Sequence, residues 1–302
     1  MHKLPRSSSD LSANRRADFA EMEFAGGAFA AAAELMIGAL ELDPAWVLGW
    51  FRLGEFHHAA GNSDAAAQAW RVYLGLDPQD HAGATLQLAL IGAAPMPQAP
   101  PNAFVEALFD EYAPRFDVSL VEKLEYRAPD HLLTAIRAAR QERFATAIDH
   151  GCGTGLMGQR LRFYCDRLEG YDISERMLAK ARAKAIYDHL ERADIAQMKR
   201  DGTPADLVAA ADVYMYLGAL DAPFASAARL LAQGGLFAFT VEALEDAPGL
   251  ALRDTRRFAH SEAYVREKLD GAGFDLISLD RATIRQDRNA PVEGLVVTAA
   301  CR

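Results

Sequence analysis

The sequence predicts two architectures in one chain: an all-α unit of repeated helix pairs, followed by an α/β doubly wound, mostly parallel sheet that ends in an antiparallel hairpin. Three observations predict it. The first is a 34-residue repeat in the opening hundred residues, with "ALELDPAW" at 39–46 and "YLGLDPQD" at 73–80 in register. The second is "APMPQAPPN" at 94–102, four prolines in nine residues without an apolar period, which reads as a stiff extended linker. The third is the regular alternation of strand-like and helix-like patterns from residue 144 onward.

The bulk composition sets limits. A length of 302 residues suits two domains, and 51% hydrophobic residues supply an ordinary globular core. A formal net charge of -10 argues against general nucleic-acid binding, which needs clustered Lys and Arg. The amino-terminal "MHKLPRSSSD" lacks the apolar stretch of a signal peptide, and no run approaches the roughly 18 apolar residues that span a bilayer. A cytoplasmic chain is expected. Cys152, Cys165 and Cys301 show no metal-ligand or disulfide spacing, so no metal is expected, and Cys152 reads as a small residue filling a tight turn.

In the helical unit, expected over 16–93 after a flexible tail at 1–15, the repeat pairs Gly27 with Gly61, Ala32 with Ala66, Leu42 with Leu76 and Pro44 with Pro78. Small residues Ala20, Ala32, Gly54 and Ala66 let helices approach closely, Trp50 and Trp70 fill the space beside them, and the prolines stop each second helix. A last helix is expected over 81–93. Trp50-x-x-Leu53-Gly54, then Ala66-x-x-x-Trp70 and Pro78, resembles the tetratricopeptide repeat, with His57 where a Tyr is usual. Such a unit serves equally as a helical prop or as a docking surface for a protein partner.

Past the linker at 94–101, "FVEALFDEYAPRFD" is amphipathic and broken at Pro114, and with the residues to 128 it is expected to form lid-like helices over the sheet. A helix over "DHLLTAIRAARQ" follows. Strands are then predicted at 145–149, 168–172, 189–192, 206–211, 235–242, 274–281 and 293–300, and helices at 155–163, 174–185, 221–232 and 261–272. In this order a ligand belongs at the carboxyl end of the first strand.

That strand runs into "AIDHGCGTGLMG", 147–158. Gly151, Gly153 and Gly155 permit unusual backbone angles and leave the main chain open to a ligand, and Asp172, at the end of the second strand, is placed to accept from ribose hydroxyls. Those features fit NAD as well as S-adenosylmethionine. Asp149 discriminates: a carboxylate at the loop's mouth repels a pyrophosphate and suits a sulfonium and an ammonium group.

"AIDHGCGTG", "LEGYDISERMLAKAR", "ERADI", "ADLVAAADVYMYLGAL" and "LLAQGGLFAFTVE" together resemble, in order, the motifs of class I S-adenosylmethionine-dependent methyltransferases, whose sheet is Rossmann-like. "FDEYAPRFD", "LEYRAP", "FAHSEAYV" and "GAGF" are similar to bacterial methyltransferases with amino-terminal tetratricopeptide repeats, and "YRAP" to the Williams-Beuren-region methyltransferase-like proteins. The resemblance implies that Asp149 with the backbone at Gly151 and Gly153 holds the methionine moiety, and Asp172 the ribose diol. Ile173 and Met177 would line an adenine face, Asp194 would accept from the adenine amino group beside Ile195, and Asp212 or Val213 would lie near the sulfonium. The cofactor would be S-adenosylmethionine, with S-adenosylhomocysteine as product.

Further residues are candidates by placement. Tyr112 and Phe116 can pack against a sulfonium-bearing ligand, Arg127 can pair with a carboxylate of the donor, and His260, in the expected loop before the helix at 261–272, can relay a proton from an acceptor. "ADVYMY" departs from the N/D-P-P-Y/F run that grips planar nitrogens, which disfavours base or glutamine methylation. Methyl transfer to a small molecule or a protein acceptor is the function expected. A catalytically silent donor-binding scaffold and a nicotinamide oxidoreductase are its alternatives.

Overall fold

The structure is a computed structural model that describes Leu4 and residues 6–118, 125–245, 247–287 and 290–302. The chain divides into two compact units, 1–104 and 105–302.

The first unit contains α1 (Leu11–Ala25), α2 (Phe29–Leu42), α3 (Val47–Ala59), α4 (Ser63–Leu76) and α5 (Ala84–Leu90). α1 packs on α2 and α3 on α4, and the turns inside each pair place Gly27 and Gly61 at φ of 83° and 78°, a conformation that glycine adopts without steric cost. Ala20, Ala32 and Ala66 are fully buried, and Gly54 leaves room for the buried Trp70, whose indole any Cβ there would overlap. α2 and α4 stop before Pro44 and Pro78, as expected. Two boundaries differ from the sequence reading. α1 begins at Leu11, inside the stretch expected to be a flexible tail, because the Asp10 side chain accepts from the amides of Ser12 and Ala13 and caps it. The helix expected over 81–93 is confined to α5, between Gly83 and Gly92, which both have positive φ.

The second unit opens with the end of α6 (Asn102–Tyr112), a short turn at Ala113–Arg115 and α7 (Phe116–Val118). Then come α8 (Ala128–Ala139), β1 (Phe144–His150), α9 (Leu156–Leu161), β2 (Cys165–Asp172), α10 (Glu175–Ala183), β3 (His189–Arg192), β4 (Ala205–Ala210), α11 (Asp221–Leu230) and β5 (Leu231–Ala243). β6 (Leu250–Leu252), β7 (Phe258–His260), α12 (Glu262–Gly271), β8 (Phe274–Asp287) and β9 (Ala290–Cys301) complete it. Residues 119–124, part of the lid expected from the sequence, lie outside the described residues.

The strands run β3-β2-β1-β4-β5 in parallel, and β9 pairs antiparallel with both β5 and β8, which is the hairpin expected at the carboxyl end. β6 and β7 were not expected. β7 pairs parallel with the last residues of β5, and β6 pairs antiparallel with β7. Alternate residues face opposite sides of a strand, and both sides here are apolar. Ile148, Val208, Phe237, Phe239 and Val297 face α11 and α12, where Phe224, Val265 and Leu269 pack. Ala147, Leu207, Ala209 and Val296 face α8 and α9, where Leu132, Ile136 and Met157 pack. Burial on both faces leaves the carboxyl edge of the sheet as the open side of the layer.

Candidate functional site

At that edge the chain leaves β1 through three glycines with φ of 75°, 54° and 95° at Gly151, Gly153 and Gly155. Each has its own reason to be glycine. A Cβ at Gly151 would lie 2.6 Å from Val213, and one at Gly155 would lie 3.1 Å from the Tyr187 ring. Gly153 has only the Phe116 ring nearby, at 3.9 Å, so its main chain is the part of the loop left open for a ligand.

The loop is pinned to β2. Gly151 and Cys152 donate to the Tyr171 carbonyl at 2.8 and 2.9 Å, and Gly153 donates to Asp172 Oδ2 at 2.8 Å. Asp172 Oδ1 accepts from the Ser174 amide at 2.8 Å. Burial pushes the Asp172 carboxyl up to about 6 even though both oxygens accept amide protons. Asp149 is fully covered; burial pushes it up to about 7, against the pull of a 2.6 Å hydrogen bond from the Tyr187 hydroxyl and with the push of the neighbouring Asp172 charge. Two carboxylates thus share one small region, an arrangement that a cation relieves. Cys152 is buried beside them and burial raises its thiol well above the usual range, so it is no nucleophile.

The other candidates lie around this loop. Ile173 is half-buried, and Met177 is fully buried in α10, which makes it packing beneath the expected adenine face rather than an exposed surface of it. Ile195 is buried and Asp194 half-buried, its oxygens accepting from the Ala196 amide at 3.0 Å and Gln197 Nε2 at 3.3 Å. Arg200 clamps the end of the same segment on the buried Glu169 with bonds of 2.7 and 2.9 Å; despite burial, its hydrogen bonds and those of Arg167 hold that carboxyl at about 2. Of the two residues expected near the sulfonium, Val213 packs against Gly151, whereas Asp212, at φ 61°, turns its carboxylate onto Arg285. Arg285 is buried and also pairs with Glu242, on β5. Arg127 is exposed at the start of α8 and lines a cavity with Tyr126, Arg160 and Leu156, the first residue after the glycine loop.

The segment 105–118 crosses the loop as a strap. Asp117 accepts from the Thr154 hydroxyl and pairs with Lys184 at 2.9 Å, Asp110 accepts from the Ser174 hydroxyl at 2.7 Å, and Glu106 pairs with Arg192 at 2.7 Å. Tyr112 packs edge-on to Phe116 at 5.5 Å, and Phe109 edge-on to Tyr216 at 4.9 Å. None of these acidic contacts was read from the sequence, since their partners lie 37 to 86 positions away.

His260 departs from expectation. It ends β7 instead of lying in a loop, is fully buried, and its Nε2 donates to the Gly218 carbonyl at 2.6 Å. Burial lowers it to about 4, so it is neutral at pH 7 and holds the Gly218 turn; a proton relay needs an imidazole that an acceptor can reach. The described residues contain no group of three or more His, Cys, Asp or Glu placed to hold a metal ion, and no helix long and apolar enough to cross a membrane.

A glycine loop after the first strand of a 3-2-1-4-5 sheet, with acids ending strands one and two, defines a nucleotide-type ligand site. Residues 147–235 match the family described as "Methyltransferase domain". The chain is 31% identical over 171 residues to a malonyl-[acyl-carrier protein] O-methyltransferase of Enterobacter lignolyticus, covering 56% of this chain and 66% of that protein. It is 29% identical over 147 residues to the protein of that name from Salmonella typhimurium, covering 48% and 57%. The chain therefore spans less than two thirds of the length of either curated relative. Among solved structures it resembles the 1,6-didemethyltoxoflavin-N1-methyltransferase of Burkholderia thailandensis, which holds S-adenosylhomocysteine, with a TM-score of 0.54, 18% identity, and 69% of this chain and 93% of that one covered. Residues 147–235 thus match a methyltransferase domain, and the sheet around them has the fold of that solved methyltransferase.

Proposed function

We propose that the protein transfers a methyl group from S-adenosylmethionine to an oxygen of a small molecule or of a protein-borne acceptor. The observation that carries this reading is the pair of buried carboxylates, Asp149 and Asp172, at the mouth of the glycine loop. Asp172 suits the ribose of either nucleotide, and Asp149 favours a cationic donor over the pyrophosphate of NAD. The likeness to malonyl-[acyl-carrier protein] O-methyltransferases supports oxygen as the acceptor atom. The repeat that resembles tetratricopeptide units supports a protein partner at the helical unit, and the free cysteines support a reducing compartment such as the cytoplasm.

When bound, S-adenosylmethionine supplies an electrophilic methyl group on a sulfonium. This chain's residues do the rest. Asp172, with lone pairs left after its two amide bonds, accepts from the ribose hydroxyls, and Asp194 from the adenine amino group. Asp149 supplies negative charge beneath the methionine end, and Arg127 answers the methionine carboxylate. Phe116, Tyr112 and Val213 exclude water from the methyl group, which raises the value of alignment in an in-line displacement. A base is required only where the acceptor arrives protonated. Incubation with methyl-labelled donor and malonyl-[acyl-carrier protein], followed by separation of labelled product, tests the reading. Labelled methyl ester supports it, and bound donor without transfer to this or any oxygen acceptor refutes it.

A further inference from the structure

Tyr187 lies in the turn between α10 and β3, outside every motif of the sequence. Its ring occupies a space that three glycines leave empty. A Cβ on Gly155 would stand 3.1 Å from it, one on Gly170 2.8 Å from it, and one on Gly158 would overlap its hydroxyl. Gly158 is inside α9 and Gly170 inside β2, where glycine weakens an element, so both positions need a packing reason. The Tyr187 ring is that reason at Gly158; at Gly170 it shares the space with the Leu190 side chain, 2.7 Å from a Cβ there, and with Cys152 Sγ at 3.0 Å. The Tyr187 hydroxyl then donates to Asp149 Oδ2 at 2.6 Å.

We propose that Tyr187 is a positioning residue for the methyl donor: its ring supports the glycine loop from the α9 side, and its hydroxyl orients the Asp149 carboxylate and keeps it ionised. This rests on the donor reading above. Burial and the adjacent Asp149 charge hold the phenol well above its ordinary range, so it keeps its proton and donates to Asp149 whenever that carboxyl is ionised. A phenol that donates to a carboxylate favours the charged form. Burial and, when charged, the neighbouring Asp172 oppose the ionisation of Asp149, and a backbone hydrogen bond from Gly158 favours it. Tyr187 is the side chain that works with the Gly158 amide to favour the charged form.

The test compares wild type with Tyr187→Phe, which keeps the ring and removes the hydroxyl. Calorimetric affinity for S-adenosylmethionine is measured from pH 6 to 9, and the Asp149 carboxyl is titrated by carbon-13 NMR in the free protein. In wild type, affinity falls as pH drops through about 7, where Asp149 gains its proton. In Tyr187→Phe both the NMR midpoint and the affinity profile move to higher pH. Near pH 7 its binding is weaker by up to about tenfold for each whole pH step that the midpoint climbs, and it converges with wild type by pH 9. Superimposed profiles, or a loss of affinity that is the same at every pH, overturn the proposal. A thermal destabilisation by Tyr187→Phe as large as that of Tyr187→Ala also overturns it, since the hydroxyl would then serve the fold. Wild type that binds no donor at any pH removes the donor reading instead, and the carboxyl titration still reports whether Tyr187 governs Asp149.

Discussion

Replacing Asp172 by alanine removes the group that links the second strand, the glycine loop and the proposed ribose site. Two hydrogen bonds from a diol to a charged acceptor contribute roughly 1.5 to 3 kcal/mol, so donor affinity should fall about ten- to a hundredfold. The same change frees the amides of Gly153 and Ser174, which costs stability, and removes a buried carboxyl that burial has already pushed up to about 6. These two effects on the fold oppose one another, because ionising that carboxyl above pH 6 is itself unfavourable in the free protein. Affinity should therefore drop far more than thermal stability. Calorimetry with S-adenosylmethionine and S-adenosylhomocysteine at pH 8, beside thermal denaturation, separates them. An affinity within about threefold of wild type would refute the ribose assignment.

Arg285→Met takes the partner from Asp212 and leaves the buried Glu242 only Arg253 and Arg257, at 3.8 and 3.9 Å, and should cost about 3 kcal/mol in urea denaturation. Asp149→Asn should stabilise the free protein more at pH 8 than at pH 5, and least below about pH 4. The folded carboxyl is raised to about 7 from an ordinary 3.8, so its contribution to stability is full below about pH 4 and lost as pH rises through 7, and asparagine has no such loss. Melting temperatures at the two pH values check this. Residues 102–302, expressed alone, should fold and keep donor affinity, because the sheet, the glycine loop and the whole of α6 lie in that stretch. An insoluble or non-binding fragment would make the helical unit part of the enzyme's core.

Most of the second unit was legible because β1, β2, β4, β5 and β9 are largely buried apolar runs, the half-exposed β3 and β8 follow in the same alternation, and the helices are amphipathic. β6 and β7 were not, since three residues are too few to show a period. The 34-residue repeat marked α1 to α4, but the start of α1 was hidden in a serine-rich stretch whose last acid, Asp10, turned out to be its cap. At the site, Asp149, Asp172 and the loop glycines followed from motif and strand ends. Tyr187, Arg285 and the strap acids did not, because their partners are distant in sequence. Gly158 and Gly170, glycines with no role in the motif, were the one trace that Tyr187 left in the sequence. His260, expected in a loop, instead ends β7, buried and bonded to a backbone carbonyl, because the three-residue strand left no period in the sequence.

Selection of a cationic donor by the buried Asp149 at the glycine loop can be measured without knowing the acceptor. The wild-type chain is titrated with S-adenosylmethionine and with NAD under identical conditions at pH 8, where both carboxyls, at about 7 and about 6, are mostly ionised. Saturable binding of S-adenosylmethionine and no binding of NAD is the expected result. Saturable binding of NAD, with S-adenosylmethionine unbound, would contradict it.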